Sequence, residues 1–291
     1  MDRKFSKFIN STLVVAVLLA VFLWSTVSQN ATSDIATSML EVDLFDVGQG
    51  DATLISLPDS TQALIDGGRD SKVLDQLARH MPKFDKKIEY IFATHPDADH
   101  IGGLPNVLQN YEVGEFIGTG KTSDSQVSKR LENEISQKKI AVKNIRQGDT
   151  VNLSSGANME ILWPDESAAK SETTNNSSEV MRFNYRGATI MLTGDAEVEA
   201  QDMILSSEPP EKIKSDILKV AHHGASSAYN KKFLEKVEME SAVISVGKKN
   251  SYGHPAKVVL NVLKEMSVKV FRTDEIGTVS FVLVDGKWEK K

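Results

Sequence analysis

The chain has 291 residues, 40% of them hydrophobic and 25% charged, which is an ordinary composition for a globular protein. Its formal net charge of −6 excludes a protein that holds nucleic acid by overall positive charge, so any such contact must be local. The absence of cysteine excludes disulfides and thiolate metal ligands, but it leaves the compartment open.

The N-terminal region is apolar rather than globular. Residues 8–33 carry no charged side chain, and the unbroken apolar run at 13–24 follows Arg3, Lys4 and Lys7. A span of about 20 apolar residues can cross a bilayer as a helix, and the cations favour a cytoplasmic N-terminus. We expect residues 1–30 to be a single-pass membrane anchor or a cleaved signal peptide, with a buried core helix as a third interpretation. Either export interpretation predicts an extracytoplasmic domain, at the cell membrane or secreted.

After a polar linker at 31–39, a single domain is predicted from residue 40 to residue 291. Strand hairpins mixed with β-α units predict an α/β (α+β) fold whose helices pack outside a sheet sandwich. The predicted strands, in chain order, lie at 40–47, 51–57, 61–66, 87–94, 141–145, 159–164, 180–186, 188–195, 216–224, 241–247, 268–274 and 277–286. The predicted helices lie at 71–81, 101–110, 123–139, 230–238 and 255–266.

The most informative segment follows the predicted strand at 87–94, where His95, Asp97, Asp99 and His100 fall within six positions. Clustered carboxylates and imidazoles resist burial unless a cation neutralises them. A tight loop can direct the first two groups one way and the last two another, which suits two metal ions. The alternative is a solvated acidic turn with an N-cap aspartate.

Three other predicted strands end in groups of the same kind. Asp195 could bridge two metals or cap the next helix, and the adjacent His222 and His223 could be ligands or a surface turn. His254 precedes Pro255 and could face the site or cap the helix that follows. Their common position at strand ends predicts one site.

Seven blocks of the sequence resemble the metallo-β-lactamase fold, and most closely the C-terminal hydrolase domain of ComEC-type DNA-internalisation competence proteins. The blocks are FDVGQGDA (45–52), ALIDGG (63–68), THPDADHIGGL (94–104), LTGDAE (192–197), LKVAHHGASS (218–227), SVGKKNSYGHP (245–255) and FRTDEIGTV (271–279). The resemblance implies an αββα sandwich with a dinuclear site at one edge, preceded here by one hydrophobic segment. We therefore expect this chain not to be the multi-helix channel of those proteins.

The resemblance also assigns roles to residues. It implies that His95 and Asp97 bind one metal, that Asp99 and His100 bind the other, and that Asp195 bridges them. His222 or His223 corresponds to the late histidine ligand. Asp66 matches the carboxylate that orients the ligands, and Asp46 and Asp51 are expected at the site edge.

Two departures from the broader superfamily affect these expectations. Asp97 stands where a second histidine is usual, and no histidine lies between His100 and His222. The loop residues 175–178, Asn176 and Ser177 among them, are expected to approach the site instead. Two divalent ions, Zn or Mn, are expected, and the oxygen-rich set favours manganese.

The function expected from these features is metal-assisted hydrolysis of a phosphodiester, with DNA as a candidate substrate. Asp99, with the histidine pair at 222–223 and His254, is expected to be catalytic, while Lys248, Lys249 and His254 are expected to contact substrate. A lactam or thioester hydrolase and a non-catalytic binding module are the alternatives. The sequence gives no indication of a protein partner.

Overall fold

The computed structural model describes residues 39–171 and 173–291. The predicted anchor or signal segment at 1–30 and nearly all of the linker lie outside the described residues, so both stay predictions. Within the described ranges, no helix combines the length and the apolarity that a bilayer crossing requires.

The described residues form fifteen strands in two sheets. The strands are β1 (Glu41–Leu44), β2 (Thr53–Ser56), β3 (Gln62–Ile65), β4 (Lys87–Ala93), β5 (Glu112–Gly118), β6 (Ala141–Asn144), β7 (Thr150–Asn152), β8 (Asn158–Trp163), β9 (Val180–Tyr185), β10 (Ala188–Leu192), β11 (Ile217–Lys219), β12 (Ser241–Ile244), β13 (Lys269–Arg272), β14 (Val279–Val284) and β15 (Lys287–Lys290). One sheet has the order β15-β14-β1-β2-β3-β4-β5-β6, and the other has the order β13-β12-β11-β10-β9-β8-β7. Both are mixed.

Nine helices lie in the described part of the chain. They are α1 (Lys72–His80), α2 (Ala98–Ile101), α3 (Leu104–Asn110), α4 (Gln126–Lys138), α5 (Val198–Ser207), α6 (Pro210–Ile213), α7 (Lys231–Val237), α8 (Lys257–Glu265) and α9 (Thr273–Ile276). The predicted helix at 101–110 is thus two helices with Gly102 and Gly103 between them, and the one predicted at 255–266 begins only at Lys257. His254 therefore does not cap that helix, whose N-cap is Ala256.

Three apolar cores divide the domain into four layers. Alternate residues of a strand face opposite sides of its sheet, so Ile190 and Leu192 of β10 face the other sheet while Met191 faces the helices. The first core lies between the sheets, the second joins one sheet to α5–α8, and the third joins the other sheet to α1–α4. This is the αββα arrangement that the sequence predicts.

The parallel strands place the candidate site at one edge. β3 and β4 are parallel in the first sheet, and β10, β11 and β12 are parallel in the second. The carboxyl ends of parallel strands meet at the same edge of a sheet, so the loops that follow these five strands converge there.

Candidate metal centre

The loops after β1, β3, β4, β10 and β11 bring together six ionisable side chains. His95, His100, His223, Asp51, Asp66 and Asp195 are all at most 5% exposed. Buried ionisable groups are unfavourable without partners or ions, so the contacts of this cluster must show what stabilises it.

Asp66 orients two of the histidines. Its Oδ2 accepts hydrogen bonds from His100 Nδ1 at 2.7 Å and from Thr94 Oγ1 at 2.8 Å, and its Oδ1 accepts from Thr94 N at 2.9 Å. Since the Thr94 hydroxyl donates to Asp66, it can accept from His95 Nδ1, which lies 3.0 Å away. Both rings are therefore fixed with Nε2 directed at the cluster. Metal sites commonly have this arrangement, in which a carboxylate that does not bind the metal orients the imidazoles that do.

His223 is fixed in the same sense by a different partner. Its Nδ1 donates to the carbonyl oxygen of Ser245 at 2.9 Å, so the lone pair of the neutral ring lies on Nε2. Nε2 is 3.6 Å from Asp99 Oδ2 and 3.8 Å from Asp195 Oδ2.

The atoms that point inward are the ones without hydrogen-bond partners. His95 Nε2, His100 Nε2, His223 Nε2, Asp51 Oδ1 and Asp195 Oδ1 are buried and make no hydrogen bond to the described residues. His100 Nε2 lies 3.2 Å from Asp195 Oδ1, and His95 Nε2 lies 4.0 Å from Asp195 Oδ2. Unpaired buried donors and acceptors are rare and costly, so this convergence fits a bound cation.

These donors form overlapping groups in which all atoms lie within 4.8 Å of one another. Three of the groups are His95, His100 and Asp195; Asp99, His100 and His223; and Asp51, Asp195 and His223. Asp195, His100 and His223 each belong to two of these three groups, and of the three only the carboxylate, with two oxygens, can bridge two ions. The set therefore suits one or two divalent ions with mixed nitrogen and oxygen ligands.

The electrostatics of the cluster point the same way. Burial would lower the pKa of His223, but Asp195 and Asp51 outweigh it and raise that pKa to about 9. At His100 burial would again lower the pKa, but Asp195 and Asp66 hold it well above its usual value. Burial, reinforced by His100, instead lowers the pKa of His95 to about 3. The carboxylates thus require positive charge, which protons or divalent cations can supply, while His95 stays in the neutral form that binds metal.

The histidine pair is set by a strained turn. The predicted strand at 216–224 ends at Lys219, and His222 and His223 follow with φ of 49° and 54° in the left-handed region. Such backbone costs of order 1–3 kcal/mol per residue and persists where the surroundings fix it. As a result the rings diverge: His223 is buried, whereas His222 is partly exposed, with Nδ1 3.1 Å from Glu197 Oε1 and Nε2 3.6 Å from Asp195 Oδ2.

Asp97 and Asp99 lie at the mouth of the cluster. Asp97 Oδ2 is 3.7 Å from His95 Nε2, and its side chain is 36% exposed. Burial would raise the pKa of Asp99, but His223 and His100 lower it to about 2. The three tight groups described above contain Asp99 but neither Asp97 nor His222.

The loop expected to replace the absent histidine approaches through other residues than Asn176 and Ser177. Asn176 donates to Glu199 and accepts from Glu197 N, so its side chain is committed to the start of α5, and Ser177 Oγ donates to the Thr174 carbonyl. Two other hydroxyls of this loop reach the centre: Thr174 donates to Asp97 Oδ2 at 3.2 Å, and Ser178 Oγ, within the predicted 175–178, accepts from Asp195 N at 3.2 Å.

Lys219 is a site residue that the sequence analysis missed. Its ammonium is paired with Asp51 Oδ2 and donates to the Gly194 carbonyl at 3.1 Å, and the residue is 2% exposed. Burial alone would raise the pKa of Asp51, but Lys219 and His223 lower it below the usual range. The signal in the sequence was the lysine of the otherwise apolar strand ILK, because a fully buried strand normally contains no charged residue.

The remaining predicted residues lie around this centre. Asp46 Oδ1 accepts from Gly48 N within its own turn, so the structure does not bring this carboxylate into the cluster. Lys248 and Lys249 are exposed on the loop after β12, and the His254 ring lies 5.8 Å from the His222 ring.

The fold and this cluster together define a class of protein. The family model of the metallo-beta-lactamase superfamily matches residues 45–248, and the chain belongs to that superfamily. The archaeal metallo hydrolase Igni18 of Ignicoccus hospitalis has the same fold, with a TM-score of 0.56 over 83% of this chain and 98% of Igni18 at 14% identity.

Two curated relatives share sequence with it. The chain is 30% identical over 259 residues to ComE operon protein 3 of Bacillus subtilis, covering 83% of this chain and 33% of that protein. It is 26% identical over 201 residues to competence protein ComA of Neisseria gonorrhoeae, covering 69% of this chain and 26% of that protein. The chain therefore spans a third or less of the length of these relatives.

Proposed function

We propose that this protein is a metal-dependent hydrolase with a dinuclear centre that cleaves phosphodiesters, with DNA as its substrate class. The observation that carries the proposal is the convergence of buried, unpaired His and Asp atoms around Asp195. The similarity to a competence protein supports the choice of DNA. The predicted N-terminal segment supports an extracytoplasmic location.

The residues have separate roles in this proposal. His95, His100, His223, Asp99 and Asp195 are the proposed ligands, with Asp97 and Asp51 at the edge of the set. When bound, divalent cations supply an activated water and stabilise the negative charge of the phosphate. Glu197 pairs with Nδ1 of His222, so Nε2 faces the centre from the exposed side, and in the protonated ring Nε2 can donate a proton to the leaving oxygen.

Turnover of two substrates tests this proposal. The full-length chain, purified with mild detergent, is assayed with bis-(p-nitrophenyl) phosphate and with a chromogenic β-lactam, each with added Mn²⁺ or Zn²⁺. We expect cleavage of the phosphodiester alone, abolished in Asp99→Asn. Cleavage of the lactam would favour the other hydrolase class.

A non-catalytic binding module is the second candidate. It predicts bound metal without turnover of either substrate, and an Asp99→Asn variant that binds ligand like the wild type. The retention of nearly all the predicted ligands in one cluster favours the hydrolase.

A further inference from the structure

A cleft of about 220 Å³ lies beside the metal centre. The loops after β1, β3 and β12 form its walls. It is lined by the exposed side chains of Arg69, Asp70, Lys72, Lys249 and Tyr252, which we call the rim.

The rim is positively charged on a chain whose formal net charge is −6. It carries three cations and one carboxylate. Lys72 Nζ is 4.0 Å from Asp70, whereas neither Arg69 nor Lys249 lies within 4.0 Å of a carboxylate of the described residues. A local excess of this kind favours a polyanion in spite of the acidic chain.

A row of aromatic rings connects the rim to the metal centre. The Tyr252 ring stacks on the His254 ring at 5.7 Å and 15°, and the His254 ring meets that of His222 at 5.8 Å and 64°. His222 Nε2 in turn lies 3.6 Å from Asp195 Oδ2. Tyr252 is 59% exposed although His254 covers one of its faces, so its other face is open to solvent.

The loop that carries Tyr252 is pre-organised. The Asn250 side chain accepts from His254 N at 3.0 Å and donates to the His254 carbonyl at 2.9 Å. These two hydrogen bonds close the loop around Tyr252 without involving the tyrosine itself, so one face of the ring stays exposed to solvent. An exposed aromatic side chain held in this way binds at low entropic cost.

The walls of the cleft are continuous with the metal centre. Gly68 N donates to the Asp51 carbonyl at 2.7 Å, directly before Arg69, and Asp51 N donates to the Asp99 carbonyl at 3.1 Å. Gly247 N donates to Gln49 Oε1 at 3.3 Å, which joins the β12 loop to the same edge. A strand whose phosphate lies at the centre would therefore extend onto the rim.

We infer that the rim binds a single-stranded polynucleotide next to the bond that is cut. A base stacks on the open face of Tyr252, and the neighbouring phosphates contact Arg69, Lys72 and Lys249. Single-stranded substrate follows from the tyrosine, because neighbouring bases cover both faces of a base inside a duplex, whereas an unpaired base can offer a face to an exposed ring. The inference rests on the proposed phosphodiesterase function for the identity of its substrate.

Direct binding tests the inference separately from catalysis. The full-length chain in detergent is titrated against a dye-labelled oligothymidylate about 12 nucleotides long, in EDTA so that the strand stays intact, and anisotropy is read. We expect Tyr252→Ala to weaken binding about tenfold through lost stacking, and Tyr252→Phe to bind like the wild type. We expect Lys249→Ala to lower the slope of log affinity against log salt by about 0.7.

Phe84 and Lys83 provide matched controls. Phe84 is 88% exposed and lies with Lys83 before β4, at the opposite end of that strand from His95. Phe84→Ala and Lys83→Ala should leave both the affinity and the salt slope unchanged. Thermal unfolding of each variant verifies that the fold is retained.

Each outcome decides a different point. Wild-type affinity in Tyr252→Ala, or equal losses in Phe84→Ala, would overturn the rim as a binding site. Duplex DNA that binds as tightly and is equally sensitive to Tyr252→Ala would overturn the single-strand assignment. Loss of binding in the rim variants, with no metal-dependent turnover by the wild type, would support the rim and refute the proposed function.

Discussion

Replacing Asp66 by asparagine removes one carboxylate oxygen from the centre of the ligand-orienting network. Asp66 is 1% exposed and accepts three hydrogen bonds, from His100 Nδ1, Thr94 Oγ1 and Thr94 N. If the new amide nitrogen takes the place of Oδ2, it faces two donors and can accept from neither. His100 must then change its tautomer or rotate, and the Thr94 contact that fixes His95 is lost as well.

The expected loss of metal affinity follows from the number of histidines that Asp66 orients. Removing an orienting carboxylate costs about 10–100-fold in metal affinity, or roughly 1.4–2.7 kcal/mol. Because one oxygen of Asp66 acts on both His95 and His100, we expect the upper part of this range. The buried donors that lose their acceptor should also lower the free energy of unfolding by about 1–3 kcal/mol.

Competition against a chromophoric chelator measures this affinity for Mn²⁺ and Zn²⁺. Asp46→Asn is the matched control, since Asp46 is expected at the site edge but its carboxylate accepts from Gly48 N and does not join the cluster. Wild-type metal affinity in Asp66→Asn, or an equal loss in Asp46→Asn, would refute the orienting role.

Three further predictions concern buried groups. His223→Ala should lower the metal content measured by elemental analysis much more than His222→Ala, because only His223 belongs to the tight donor groups. Lys219→Met should cost about 3–5 kcal/mol in urea unfolding, because it leaves the buried Asp51 carboxylate unpaired. Glu179 is fully buried with neither carboxylate oxygen hydrogen-bonded to the described residues, and burial and Asp66 raise its pKa well above 4.5. Because the folded protein holds the Glu179 proton more tightly than the unfolded chain does, the free energy of unfolding falls as the pH rises from 4.5 to the raised pKa, by about 1.4 kcal/mol per pH unit. Glu179→Gln should therefore be more stable than the wild type at pH 8 but not at pH 4.

Each of these predictions has an opposing result. Equal metal loss in both histidine variants would make His222 a ligand too. Unchanged stability in Lys219→Met would indicate that water solvates Asp51. A constant stability difference between pH 4 and pH 8 would show that folding does not raise the pKa of Glu179.

Sequence periodicity sufficed for the layers and for the position of the site. Alternating burial in strands such as β10 depends on local pattern alone, and the carboxyl ends of parallel strands fall at one edge whatever the side chains are. The segment from His95 to His100 could therefore be assigned to that edge from its position after a strand. Its resemblance to a known family supplied the roles.

Side-chain direction was not predictable in the same way. Asn176 and Ser177 lie in the expected loop, yet helix α5 takes one side chain and the loop backbone takes the other, which leaves Thr174 to contact Asp97. Lys219 is buried only because Asp51, distant in sequence, supplies its counter-charge. Such pairings arise from tertiary contacts that no local pattern encodes.

The most direct measurement is a metal titration of the full-length protein after it has been stripped with chelator. Hydrolysis of bis-(p-nitrophenyl) phosphate is followed as Mn²⁺ or Zn²⁺ is added, with Asp195→Asn in parallel. We expect no turnover in the stripped protein, turnover that saturates near two equivalents in the wild type, and none in the variant. Turnover that survives stripping, or that appears at no metal concentration, would contradict this expectation.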